Sequence, residues 1–123
     1  MSEIAKEAMS DRMEELLDHM RENYVKWSRS GPDGVTDIKT QMEEDYADGL
    51  FYETGSKYIK VISDKRHQQS VCLFVVNTDR DKKFRFGDIL KPAGWAAPAR
   101  NFARGSVFDT NSMKDCVRWT GAL

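Results

Sequence analysis

The spacing of apolar residues changes once along this chain, between residues 49 and 57. Before that point apolar residues recur every three or four positions, and after Gly55 they alternate with polar ones. The first spacing is typical of an amphipathic helix and the second of a half-buried strand. A chain of 123 residues suits one domain, because two separate cores of half that size would each be marginally stable. We therefore predict a single α+β domain, residues 1–123, with a helical segment 1–49 and a β-rich core 50–123.

The first 28 residues predict one long amphipathic helix. They contain no glycine or proline and are rich in strong helix formers. The apolar stripe consists of Ile4, Met9, Met13, Leu16, Leu17, Met20, Tyr24 and Trp27. At ~1.5 Å per residue the helix would be about 40 Å long, longer than a small barrel is wide. Either it breaks near Ser10 and Asp11, a plausible N-cap pair, or part of its stripe contacts another chain. Met13, Leu17 and Met20 are therefore candidates for a partner-binding or oligomerisation face, with core filling as the alternative.

A second, shorter helix is predicted after the turn-forming segment 28–34. Thr36 is the expected N-cap and the helix should end near Ala47 or Asp48. Ile38, Met42 and Tyr46 recur every four residues, so we expect them to form its buried stripe.

Five short strand-like segments follow, joined mostly by polar turns. They cover residues 57–63, 69–77, 83–91, 105–108 and 116–120. This density of short strands is typical of a small antiparallel barrel of the SH3-like or Sm-like kind. The predicted architecture is thus an N-terminal helix pair packed on a five-stranded antiparallel barrel. A curled sheet covered on one face by the helices is the alternative.

The two halves carry opposite charge, which the net charge of −1 conceals. Residues 1–56 contain fourteen acidic and six basic side chains, whereas residues 57–123 contain six acidic and thirteen basic ones. Such asymmetry suggests an anionic partner for the basic half. The other explanation is that the halves neutralise each other, within one fold or across a dimer.

The connection 91–105 departs from ordinary scaffold composition, because it places two large aromatic residues among three cations. Aromatic rings can stack on bases while Lys and Arg neutralise phosphates. We therefore predict non-specific nucleic-acid binding through this loop and the preceding strand. The candidate residues are Lys83, Arg85, Lys91, Trp95, Arg100, Phe102 and Arg104. Two alternatives stay open: a protein-binding face, or a small structural cluster of Trp95 and Phe102 with both loop arginines paired to the acidic helices.

Four segments resemble a family of short uncharacterised proteins of tailed bacteriophages and marine viruses. They lie at residues 55–60, 83–91, 95–105 and 119–121 and include Gly-Asp at 87–88 and Ala-Pro-Ala-Arg-Asn at 97–101. The resemblance covers roughly residues 50–121. It implies a viral origin and a compact β domain, and it implies no activity.

No motif indicates an enzyme, a metal site or a cofactor. The chain lacks a nucleophile elbow, a phosphate-binding glycine loop and a His-Glu-x-x-His zinc motif. Cys72 and Cys116 lie in apolar contexts and are expected to be buried free thiols. No apolar run is long enough to span a bilayer and the N-terminus is acidic, so we expect no membrane partner. No small-molecule substrate is evident. The expected location is the cytoplasm, that of the host if the protein is viral.

Overall fold

The structure, a computed structural model, describes residues 2–123 as three helices and seven strands. Their bounds are α1 Glu3–Arg29, α2 Asp37–Gly49, β1 Leu50–Thr54, β2 Tyr58–Lys65, β3 Gln68–Val76, β4 Asp88–Leu90, β5 Gly105–Ser106, α3 Thr110–Cys116, β6 Val117–Arg118 and β7 Gly121–Ala122. The α+β class is confirmed.

Helix α1 is continuous over 27 residues, so the predicted break near Ser10 does not occur. Ser2 caps its first turn by accepting a 3.1 Å hydrogen bond from the amide of Ala5. Ser10 is helical and exposed, where it interrupts neither the backbone ladder nor the apolar stripe. The two ends of the predicted stripe are exposed, with Ile4 at 80% and Trp27 at 55% of their full accessibility. The middle of the stripe is therefore the part that packs.

Helix α2 begins as predicted, but the face that it buries is different. Thr36 caps the helix by accepting a hydrogen bond from the amide of Lys39 at 3.1 Å. The buried residues are Glu43 and Tyr46, whereas Ile38 and Met42 are exposed, which corrects the predicted stripe.

Contacts with α1 explain this orientation of α2. The guanidinium of Arg29 forms a bidentate pair with the Glu43 carboxylate, at 3.0 and 3.1 Å. The rings of Tyr24 and Tyr46 stack with centroids 4.4 Å apart. A bidentate ion pair whose carboxylate is buried and a ring stack therefore orient α2, and they leave the side chains of Ile38 and Met42 exposed.

The main sheet is antiparallel and open, with strand order β1-β2-β3-β4-β5. β1 and β5 lie at opposite edges, so the closed barrel is wrong and an SH3-like or Sm-like assignment is not confirmed. β4 has three residues and β5 only two, which is too little strand to curl the sheet back onto β1. The structure agrees instead with a sheet covered on one face by helices. β1 itself was not among the predicted strands.

Two tight turns shape the sheet. Arg66 and His67 both have positive φ, 52° and 66°, as a two-residue hairpin between β2 and β3 requires. Gly87 has φ of 95° and bends the chain, which shortens the strand expected over 83–91 to β4. Asp88 stabilises this bend by accepting a 2.8 Å hydrogen bond from the amide of Arg85.

The C-terminal segment forms a short helix and a separate two-stranded hairpin, where a fifth strand over 116–120 was expected. Asp109 caps α3 by accepting from the amide of Ser112 at 3.2 Å. The ring of His19 on α1 donates to the carbonyl of Val117 at 2.8 Å, and Tyr46 of α2 donates to the carbonyl of Trp119 at 2.7 Å. These bonds attach the hairpin to the helices, so it extends the helical side of the molecule.

Each face of the sheet has its own apolar cluster. The larger cluster joins α1 to Ile59, Val61, Leu73, Val75 and Ile89. The smaller cluster, on the opposite face, contains Phe74, Val76, Phe84 and Leu90 with Tyr58 and Ala103 at its margin.

The larger cluster also includes the residues predicted to form an oligomerisation face. Met13, Leu17 and Met20 are 0%, 3% and 0% exposed, so they are core residues of their own chain. Their burial agrees with core filling, the alternative stated for these three residues. Across residues 2–123, no helix combines the length and apolarity needed to cross a membrane.

Candidate nucleic-acid interface

The loop 91–105 connects β4 to β5 and is held together by backbone hydrogen bonds. The amide of Ala99 donates to the carbonyl of Lys91 at 2.7 Å, and that of Ala93 donates to Ala97 at 3.0 Å. Pro92 and Pro98 form an antiparallel bridge between these bonds. Trp95 therefore lies at the tip of a hairpin-like loop. The amide of Arg104 then bonds the carbonyl of Ile89 at 2.8 Å and returns the chain to the sheet.

Trp95 is 46% exposed and is paired with a cation from the sheet. The ammonium of Lys60 lies 4.4 Å from the centroid of the Trp95 ring and 5.9 Å from that of Phe74. Because Phe74 belongs to the smaller cluster, Trp95 lies on the face of the sheet opposite α1. Lys60 was not a predicted site residue. The alternation within residues 57–63 places it on the same face as Tyr58, a signal that could have identified it.

Phe102 is 55% exposed and also has a cation against its ring. The guanidinium carbon of Arg104 lies 3.8 Å from the Phe102 centroid. Arg104 also donates to the carbonyl of Leu123 at 3.2 Å, while its buried Nε has no hydrogen-bond partner within residues 2–123. The two rings of the loop are therefore both solvent-accessible and both in contact with a positive charge.

Arg100 is paired, but its partner is not on the acidic helices. Its guanidinium forms two 2.9 Å hydrogen bonds with Asp81 and a further one with the hydroxyl of Tyr58. The carboxylate of Asp81 is only 2% exposed and also accepts from the amides of Lys83 and Phe84. The Arg100 bonds, with those two amides, hold the pKa of Asp81 well below its usual range. These bonds hold the side chain of Arg100 against the turn 78–83.

The remaining predicted residues are only partly brought together. Lys83 donates to the carbonyl of Arg100 at 2.7 Å, and Lys91 is exposed at the base of the loop. Arg85 is exposed in the turn before β4, and within residues 2–123 its side chain forms no ion pair with the other predicted residues.

Direct ion pairs do not connect the acidic and basic halves within the described chain. Four of its five salt bridges join residues of the N-terminal half to each other: Lys6–Glu3, Arg12–Glu15, Arg21–Asp18 and Arg29–Glu43. The fifth is Asp81–Arg100, inside the basic half. Within residues 2–123, ion pairs with the helices therefore do not neutralise the basic half.

Comparison with known proteins identifies the family to which this chain belongs. A model of a family of unknown function, DUF7717, matches residues 2–123. The chain belongs to this family. The DUF7717 match includes α1 and α2, which lie outside the resemblance described for residues 50–121. No curated protein and no solved structure matches the chain.

Other reactive groups of this DUF7717 chain are dispersed or buried. Within residues 2–123, no three side chains of His, Cys, Asp or Glu are grouped so that they could hold a metal ion. Both cysteines are free and buried. Burial raises the pKa of Cys72 to about 11, so this thiol stays protonated and unreactive near neutral pH.

Proposed function

We propose that the chain binds single-stranded nucleic acid non-specifically through the loop 91–105 and the adjoining strand β2. The observation that supports this most is the pair of exposed rings in one loop, Trp95 and Phe102, each in contact with a cation. A ring with one open face can stack on any base, and a cation beside it can neutralise the neighbouring phosphate.

The expected recognition is independent of base sequence. Stacking needs only the π-face that every base has, and the cations would contact phosphates, which are the same at every position. Binding rather than catalysis is the role proposed. The resemblance of residues 50–121 to phage and marine-virus proteins supports a viral nucleic acid as the ligand, in the host cytoplasm.

The test is a fluorescence-anisotropy titration of a labelled single-stranded oligonucleotide at about 50 mM salt. Trp95→Ala and Phe102→Ala should each weaken binding about 5- to 100-fold, since one ring–base stack is worth about 1–3 kcal/mol. Trp27→Ala is the matched control, because Trp27 is also exposed but lies on the helical side. Absence of binding in this buffer, or an equal loss in the Trp27 variant, would refute the proposal.

A second candidate function is self-association through α2. Ile38 and Met42 lie one turn apart and are 75% and 47% exposed, among acidic neighbours on the same helix. The occupant proposed is the basic half of a second copy, because its cations have no ion pairs with the helices of their own chain. Light scattering should show a defined oligomer that Ile38→Glu with Met42→Glu dissociates. A monomer at all accessible concentrations would exclude this function.

A further inference from the structure

A cation-rich pocket lies beside the proposed interface, between the β1–β2 turn and the connection from β3 to β4. It has a volume of about 410 Å³ and is lined by Ser56, Lys57, Thr78, Arg80, Asp81, Lys82 and Arg100. Asn77 holds its two sides together: the backbone amide donates to Lys57 at 2.9 Å and the side-chain amide donates to Gly55 at 2.8 Å. The pocket walls are therefore positioned before any ligand arrives.

The one carboxylate of the pocket, Asp81, neutralises Arg100 but none of the other pocket cations. Asp81 is saturated, because its oxygens accept from Arg100 and from two backbone amides. Lys57, Arg80 and Lys82 form no salt bridge within residues 2–123. The four cations and one carboxylate that line this concavity therefore leave a net charge of +3, which favours the binding of an anion.

The pocket also offers hydrogen-bond donors suited to tetrahedral oxygens. A guanidinium has five N–H donors, and three of those of Arg100 are used by Asp81 and Tyr58. Thr78 accepts the amide of Arg80 at 3.2 Å, which leaves its hydroxyl proton free to donate. Ser56 contributes a second hydroxyl. Fixed arginine donors with nearby ammonium groups are the usual chemistry of phosphate recognition.

We propose that this pocket binds a phosphate group with three free oxygens, as in a phosphomonoester or pyrophosphate. Such a group carries close to two charges, which fits three unbalanced cations better than the single charge of an internal phosphodiester. The source can be the phosphorylated end of a nucleic-acid strand, which rests on the proposed function because Arg100 belongs to both sites. The source can equally be a free phosphate compound, and that case does not depend on the proposed function.

The first arm of the experiment titrates inorganic pyrophosphate into the full chain by calorimetry. The pocket variant is Arg80→Gln with Lys82→Gln, and the matched control is Lys26→Gln with Lys114→Gln, which removes the same charge from exposed sites elsewhere. Affinity should fall at least about tenfold in the pocket variant and stay unchanged in the control. Both variants alter exposed side chains, and equal melting temperatures would verify their folding. No binding, or equal losses in the two variants, would overturn the proposal.

The second arm identifies the source by comparing oligonucleotides with and without a 5′ phosphate. A preference for the phosphorylated strand that disappears in the pocket variant would assign the pocket to strand ends. Pyrophosphate binding without such a preference would assign it to a free phosphate compound. Failure of the interface proposal looks different, because Trp95→Ala would then leave oligonucleotide binding unchanged whatever the pyrophosphate result.

Discussion

The salt dependence of nucleic-acid binding can be worked out from which cations the fold leaves without ion pairs. Near the loop these are Lys60, Lys83, Arg85, Lys91 and Arg104, whereas Arg100 is neutralised by Asp81. On a single strand, each phosphate contact contributes about −0.7 to the slope of log affinity against log salt. Five contacts predict a slope of about −3.5, so affinity should fall on the order of 100-fold between about 50 and 200 mM salt.

Lys91→Gln gives the sharpest version of this prediction. Lys91 is exposed at the base of the loop, and the side-chain change leaves the backbone bond to Ala99 intact. The slope should become less negative by about 0.7, with a loss of affinity of a few fold at low salt. Lys26→Gln is the matched control, because Lys26 is an exposed lysine in the last turn of α1, on the face of the sheet opposite Trp95. Anisotropy titrations at four or five salt concentrations measure both slopes.

Two results would refute this reasoning. A wild-type slope shallower than about −1 would mean that the unpaired cations do not contact phosphates. Equal changes of slope in the Lys91 and Lys26 variants would mean that binding responds to net charge alone. In either case the contacts of Trp95 and Phe102 with cations would be structural.

Three further predictions concern stability. Met13→Ala should cost about 2–5 kcal/mol, on the order of 10 °C in Tm, without changing the oligomeric state, because Met13 is fully buried in its own chain. Gly121→Ala should lower Tm by several degrees in a thermal melt, because its φ is 133° and a Cβ would lie 2.2 Å from the carbonyl oxygen of Cys72, whereas Gly94→Ala, with open space around it, should be neutral. The pKa of Asp81 is lower in the fold than the unfolded-state value of about 3.9, so its carboxylate contributes stability above that pH. This contribution is lost as pH falls through the folded-state pKa. Asp81→Asn should therefore lower Tm at neutral pH and flatten the acid limb of a Tm–pH curve. An unchanged acid limb would contradict the last of these.

The helices were predictable because local chemistry determines them. A stretch free of glycine and proline fixes α1, and the side chain of Thr36 fixes the start of α2. The face that α2 buries was not predictable, because it depends on Arg29 reaching Glu43 across the helix pair. A spacing of four residues for Ile38 and Met42 describes an apolar face without saying whether anything covers it.

The prediction of a closed barrel was wrong for a different reason. Alternation predicts strands but not whether the last one returns to the first, and closure required strand length that β4 and β5 lack. The short helix α3 was missed because seven residues capped by Asp109 look like a turn in sequence. The composition of the loop predicts the candidate site in outline. Its sheet contribution, Lys60, and the Asp81 partner of Arg100 were not predicted, because both contacts are between residues distant in sequence.

The distribution of ion pairs gives the acidic helices a role other than neutralisation. Three of the four pairs in the N-terminal half lie within α1 itself, three residues apart, and the fourth joins α1 to α2. The carboxylates that are left unpaired on α1 face solvent on one side of the sheet, and Trp95 with Lys60 lies on the other. If the loop binds a polyanion as proposed, the unpaired carboxylates of α1 would repel that polyanion from the outer surface of the helix. The sheet thus separates the acidic outer surface of α1 from Trp95 and Lys60, but it does not separate all charges by face. Lys65 lies against the rings of Tyr24 and Tyr46, and Arg118 lies in the hairpin attached to the helices, so part of the basic half stays on the helical side.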